Sequence, residues 1–146
     1  MIVGIDGEIF EFAENDEDEL RAGTIRCSLV MRGRAINEEI NLFEAMDDVS
    51  TPLESLYEAL FELNTYEWKK SVEEFYSSEI TGSDVLFIES LELEPPFRGK
   101  GIGAQVVRET IALFGSGCWL VACLPFPLQI GGMTSTKPCA SSRALS

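Results

Sequence analysis

The chain contains no histidine, which excludes histidine-based catalytic triads and mixed His/Cys zinc sites. Its four cysteines (Cys27, Cys118, Cys123 and Cys139) form no C-x-x-C pair. Cys27, Cys118 and Cys123 lie in apolar, strand-like runs and read as small buried hydrophobes, whereas Cys139 falls in a polar stretch that would expose its thiol. No metal site is expected from this inventory. Long apolar runs are also missing, since none approaches the ~20 residues of a membrane span. No basic region precedes Met1-Ile2-Val3, and acids follow at Asp6 and Glu8, so the start does not read as a signal peptide. These absences predict a cytoplasmic protein that does not engage membranes.

Positive charge is scarce: 11 Lys and Arg stand against 25 Asp and Glu, a net charge of −14. The imbalance is local. Residues 1–94 hold 24 acids and 6 bases, whereas residues 95–146 hold one acid, Glu109, and 5 bases. The acidic part would attract basic substrates or partners while the basic part holds an anion, or the acids are simply a solvated surface. Nucleic acid is not an expected partner, because its phosphates would meet mostly negative surface. At 146 residues the chain fits one domain, assigned to 1–130, followed by a small, polar, aperiodic tail at 131–146.

Two strands are expected at Glu8–Phe12 and Thr24–Met31, separated by the charged loop Glu14–Glu19 and followed by a turn at Arg32-Gly33-Arg34. Thr51-Pro52-Leu53-Glu54 reads as a capping box with Thr51 as cap. Leu53, Leu56, Tyr57, Leu60 and Phe61 then mark one buried helical face. A further helix is predicted over Tyr66–Tyr76, with Trp68, Val72, Phe75 and Tyr76 turned inward. Asp84–Glu94 reads as a central strand. The helix after it would bury Ile102, Val106, Val107, Thr110 and Leu113 and end at Gly115-Ser116-Gly117. Cys118–Leu124 completes a parallel βαβ unit, closed by Pro125-Phe126-Pro127.

The most informative stretch lies between that strand and that helix: Arg98-Gly99-Lys100-Gly101-Ile102-Gly103. The first N–H groups of a helix lack intrahelical partners, and the helix dipole puts partial positive charge there. Glycines let such a backbone approach a phosphate, and Arg98 and Lys100 add full charge beside it. A P-loop is excluded because no Ser or Thr follows Gly-Lys, and the glycine spacing does not fit G-x-G-x-x-G. The spacing does satisfy R-x-x-G-x-G.

With the strand end and prolines before it, the run Leu91-Glu92-Leu93-Glu94-Pro95-Pro96-Phe97-Arg98-Gly99-Lys100-Gly101-Ile102-Gly103 resembles motif A of the GNAT N-acetyltransferases. The resemblance covers about residues 84 to 128. It implies an α/β (α+β) fold, a mixed, twisted sheet flanked by helices. It also implies that Arg98, Gly99, Lys100, Gly101, Ile102, Gly103 and Ala104 hold the pyrophosphate of acetyl-coenzyme A. The backbone of Leu91 and Leu93 would bind its pantetheine arm where two parallel strands splay. The activity implied is transfer of the acetyl group to an amine, and the acidic charge suggests a cationic acceptor, a small amine or a protein amine.

An attacking amine must lose a proton, and a general base assists it. Val85, Phe87, Glu89, Leu91 and Leu93 share one parity of the central strand, apolar except for Glu89. A carboxylate among apolar neighbours suits that base role, and acid–base residues in the GNAT family often lie on this strand. Alternatively a strand bulge puts Glu89 in solvent, or Glu89 pairs with an arginine. Glu92 shares its face with Ser90 and Glu94 and is the second candidate.

The family usually adds a helix and a two-stranded hairpin after the second parallel strand, and often a tyrosine acid there; this sequence has no tyrosine beyond Tyr76. The C-terminal elements are therefore expected to be short or missing, and a homodimer could cover the sheet edge this leaves. Tyr57, Tyr66 and Tyr76 remain candidate acids if the N-terminal helices fold over the cleft. A different class of function also fits: a non-catalytic domain on the same fold whose acidic surface binds a basic protein partner.

Overall fold

A computed structural model describes residues 1–12, 19–76 and 82–124. The acidic loop (residues 14–18), the Pro125-Phe126-Pro127 stop, Cys139, the tail and the domain limit at residue 130 lie outside these residues. The first elements are β1 (Ile2–Phe12) and β2 (Glu19–Val30), an antiparallel pair longer at its start than the sequence pattern suggested. After β2 come four helices: α1 (Arg32–Asn37), α2 (Leu42–Asp47), α3 (Thr51–Leu60) and α4 (Lys70–Tyr76). The chain then returns as β3 (Asp84–Leu93), a single 3-10 turn at Pro95–Phe97, α5 (Ile102–Phe114) and β4 (Cys118–Cys123). The sheet order is β1-β2-β3-β4, with β2 and β3 antiparallel and β3 and β4 parallel. The fold is thus a mixed α+β arrangement around a four-stranded mixed sheet.

Alternation along β3 divides the core between the two sheet faces. Val85 and Phe87 pack with Val30, Leu42, Met46, Leu53, Tyr57 and Trp68, which places α1 to α4 on one face. Leu86 and Ile88 pack with Cys27 and with Val107 of α5, which covers the other. Full burial of side chains such as Phe87 or Leu86 stabilises by about 1.5–3 kcal/mol each, so both layers hold β3 in place.

Several local expectations change. Arg32-Gly33-Arg34 is the first turn of α1, not a reverse turn. Its Gly33 N–H donates to Asp84 Oδ1 at 3.1 Å, and a Cβ on Gly33 would stand 2.6 Å from Ser83 Oγ, so glycine serves close packing there. α2 is a helix the periodicity did not reveal, capped by Asn41, whose side chain accepts from the N–H groups of Phe43 and Glu44 at 3.1 and 3.3 Å. Ser50, not Thr51, caps α3: it is extended, and its Oγ accepts from Leu53 N–H at 3.4 Å.

Phe61 lies beyond α3 and forms an isolated antiparallel bridge with Trp68, so the next helix begins only at Lys70. α4 buries none of its residues, and Phe75 and Tyr76 are exposed rather than inward. Leu113 of α5 is also exposed, whereas Thr110 is buried as expected. Of the cysteines, Cys27 is buried, Cys118 half-buried and Cys123 exposed, which corrects the reading of Cys123 as a buried hydrophobe.

Candidate active site

The glycine turn opens a helix as the sequence implied. Gly99 and Gly101 have φ of +73° and +79°, a region that other residues enter at a cost, and an added Cβ at either would meet nothing within 4 Å. Gly101 is the N-cap of α5, and its carbonyl accepts the helix's first bond from Gln105 N–H at 3.2 Å. The amides of Ile102, Gly103 and Ala104 therefore precede the hydrogen-bonded ladder, at the positive end of a thirteen-residue helix.

Arg98 is exposed, and its Nε donates to the Leu93 carbonyl at 2.8 Å, which ties the guanidinium to the end of β3. Lys100 Nζ stands 5.8 Å from the centre of the Phe97 ring. Both cations thus flank the turn. Arg108 is exposed one turn along, with Nε 3.3 Å from the Ala104 carbonyl.

β3 and β4 pair from Asp84 to Ile88, and the last bond between them runs from Leu124 N–H to the Ile88 carbonyl at 3.4 Å. β3 continues to Leu93 alongside β2, but β4 does not follow it. The gap is a cleft of about 240 Å³ lined by Glu89, Ser90, Leu91, Val107, Cys123 and Leu124. Gly103 lies over this end of the strand: a Cβ there would be 3.5 Å from a Leu91 methyl and 3.8 Å from a Leu93 methyl. Cleft and turn therefore share the carboxyl end of the parallel pair, the end at which open α/β sheets bind ligands.

Glu89 sits on a bulge. Arg26 pairs with Ser90 and Cys27 with Ile88, so Glu89 is the extra residue on β3. The bulge reverses the alternation: Val85 and Phe87 face α1–α4, while Leu91 and Leu93 lie under α5. The five residues therefore do not share one face. Glu89 is half-buried rather than in solvent, and its Oε1 accepts a short hydrogen bond from Ser28 Oγ.

No arginine pairs with Glu89 among the described residues; the nearby Arg26 is held by Asp6 at 2.8 Å instead. Buried Cys27 lies next to this carboxylate, and burial with the Glu89 charge pushes its thiol up to about 11. Glu92 is exposed, in a polar groove of about 310 Å³ with Asp6, Glu8, Arg26 and Ser90. Ser90 lines both this groove and the cleft.

Comparison with protein-family models, with curated proteins and with solved structures returns no match. The site is therefore read from its own geometry.

The tyrosines are committed elsewhere. Tyr57 is buried, its hydroxyl bonded to the Glu62 and Thr65 carbonyls at 2.9 and 2.8 Å and to Thr65 N–H at 3.0 Å. Tyr66 donates to the Ile40 carbonyl at 2.8 Å, and Tyr76 packs against Trp119 with ring centres 5.5 Å apart. None of the three lines the cleft. A larger groove of about 560 Å³ runs between α5 and the β1–β2 hairpin, past Phe10, Val106, Leu113 and Phe114. Ile102, at the start of α5, borders it, but the turn's glycines and Glu89 do not. Among the described residues no acid or cysteine cluster of metal-binding kind occurs, and no helix is long and apolar enough to cross a membrane.

Sequence reasoning missed one residue that lines the cleft, Cys123, and one buried behind Glu89, Ser28. Cys123 was assigned to the core. Ser28 was passed over inside the apolar run from Cys27 to Val30, although a hydroxyl set among apolar residues needs a partner and so signals one.

Proposed function

We propose that the chain is an acetyl-coenzyme A-dependent N-acetyltransferase of the GNAT type. One observation carries this reading: the parallel strands part beyond Ile88 at the same end of the sheet where a positive-φ glycine turn opens α5. A pantetheine arm, a chain of amides, suits the stretch of β3 at Leu91 and Leu93 that β4 does not follow. A pyrophosphate suits the free amides of Ile102, Gly103 and Ala104, with Arg98 and Lys100 beside them. The space around Gly99 and Gly101 leaves that backbone accessible.

In the reaction the neutral amine nitrogen attacks the thioester carbonyl carbon. A C–N bond forms, the C–S bond breaks, and coenzyme A leaves as the thiolate, which takes its proton from solvent. Glu89 takes the proton shed by the amine, directly or through a water. The groove that meets the cleft at Ser90 carries Asp6, Glu8 and Glu92, which favours a cationic acceptor, either a small amine or a lysine or N-terminus of a protein. No residue of this chain is assigned as the acid.

The test is calorimetric titration with acetyl-coenzyme A, followed by thiol release over a panel of amines and lysine-rich proteins. Glu89→Gln should lower turnover at least about tenfold while binding acetyl-coenzyme A normally. Unchanged turnover would remove Glu89 from the mechanism. The same acidic groove supports a second reading, a non-catalytic domain that binds a basic protein. Tight acetyl-coenzyme A binding with no turnover on any amine would favour it.

A further inference from the structure

We propose that Ser28 is the positioning residue for the Glu89 carboxylate, an inference that rests on the acetyltransferase reading above. Ser28 is only 2% exposed, on β2 opposite Phe87, and its hydroxyl donates to Glu89 Oε1 from the neighbouring strand. A buried hydroxyl without a partner is costly, and the Glu89 carboxylate is the acceptor it has. The bond is also charge-assisted, and so stronger than one between neutral groups.

The bulge makes this contact matter. Within regular pairing a residue's direction is set by its neighbours across the ladder, but Glu89 is the residue left without one on β2. Ser28 supplies the missing constraint. It engages one carboxylate oxygen and leaves the other, which has no hydrogen bond among the described residues, to accept the amine proton. Arg26 does not compete, because Asp6 holds it at 2.8 Å. Ser28 touches neither the thioester nor the amine in this scheme; it acts through Glu89 by keeping a flexible side chain where the proton is shed.

The experiment compares full-length wild type, Ser28→Ala, Ser28→Cys, Ser28→Thr, Glu89→Gln and the Ser28→Ala/Glu89→Gln double variant. Ser28→Ala and the isosteric Ser28→Cys should each lower kcat about tenfold with the KM for acetyl-coenzyme A unchanged, and Ser28→Thr, which keeps the hydroxyl, should recover most of it. In the Glu89→Gln background Ser28→Ala should have no further effect on kcat, because the two residues act as one unit. The carboxyl carbon NMR resonance of Glu89, identified by its loss in Glu89→Gln, should move in Ser28→Ala. An unmoved resonance, or an equal kcat loss in both backgrounds, would overturn the role of Ser28. Loss of turnover in Glu89→Gln with none in Ser28→Ala and Ser28→Cys would overturn Ser28 alone. A wild-type chain that acetylates nothing would bring down both readings.

Discussion

Replacing Gly101 with valine separates what this turn does for the fold from what it does for a ligand. The folding cost comes from the backbone alone. Gly101 sits at φ +79° and ψ 1°, and an L-residue in the left-handed region costs roughly 1–2 kcal/mol. The Cβ itself adds no clash, because at Gly101 it meets no heavy atom within 4 Å. At about 2–4 °C per kcal/mol for a domain of this size, the melting temperature should fall by roughly 2–8 °C. Domains are stable by about 5–15 kcal/mol, so the variant should remain folded.

The ligand cost is larger. The valine methyls would occupy the space through which a pyrophosphate reaches the helix amides. Losing two charge-assisted hydrogen bonds, each worth about 1.5–3 kcal/mol, weakens binding at least about a hundredfold. Paired melting curves and calorimetric titrations with acetyl-coenzyme A read the two costs separately. Normal binding by a folded Gly101→Val chain would refute the phosphate placement. Global unfolding would refute the claim that the space around this residue is open.

Three further substitutions or probes test the frame around the site. A Cβ on Gly23 would lie 2.0 Å from the Glu92 carbonyl oxygen, so Gly23→Ala must push β2 off β3; urea titration should show a loss of about 3 kcal/mol or more, and a loss under 1 kcal/mol would contradict the close approach. Burial raises the Cys27 thiol to about 11, which leaves about a thousandth of it as thiolate at pH 8. With a disulfide reagent on the native protein, Cys123 should be labelled before Cys118 and be protected by acetyl-coenzyme A, while Cys27 should react only on denaturation. Tyr57→Phe removes the hydroxyl bonded to Glu62 and Thr65. It should cost about 1–3 kcal/mol of stability with turnover per folded molecule unchanged, and a selective loss of turnover would return Tyr57 to the list of candidate acids.

The segment from β3 through α5 to β4 was legible because each part carries a local signal: an apolar run, glycines at a turn, then 3.6-residue periodicity. α1 and α2, with six residues each, are too short to show a period, and their cues were other things. Gly33 looked like a turn residue because a glycine needed for close packing and a glycine needed for a positive φ are the same letter. The exposed Phe75 and Tyr76 show the reverse error: apolar spacing suggested a core face, but both rings stay largely exposed, Tyr76 meeting the Trp119 ring of β4 and Phe75 beside it.

Glu89 shows most sharply where period-two reading stops. A bulge is a property of two strands, since it exists only when Arg26 and Cys27 of β2 pair with Ser90 and Ile88 of β3 and skip the residue between. No pattern within β3 could announce it, so the shared face assigned to Val85, Phe87, Glu89, Leu91 and Leu93 dissolves into two faces that meet at Glu89. That same reversal gives the site its layout. Without the bulge, Leu91 and Leu93 would turn toward the α1–α4 face, away from Gly103. With it, their side chains reach the start of α5, and Glu89 stands at the junction, held by Ser28 from the next strand.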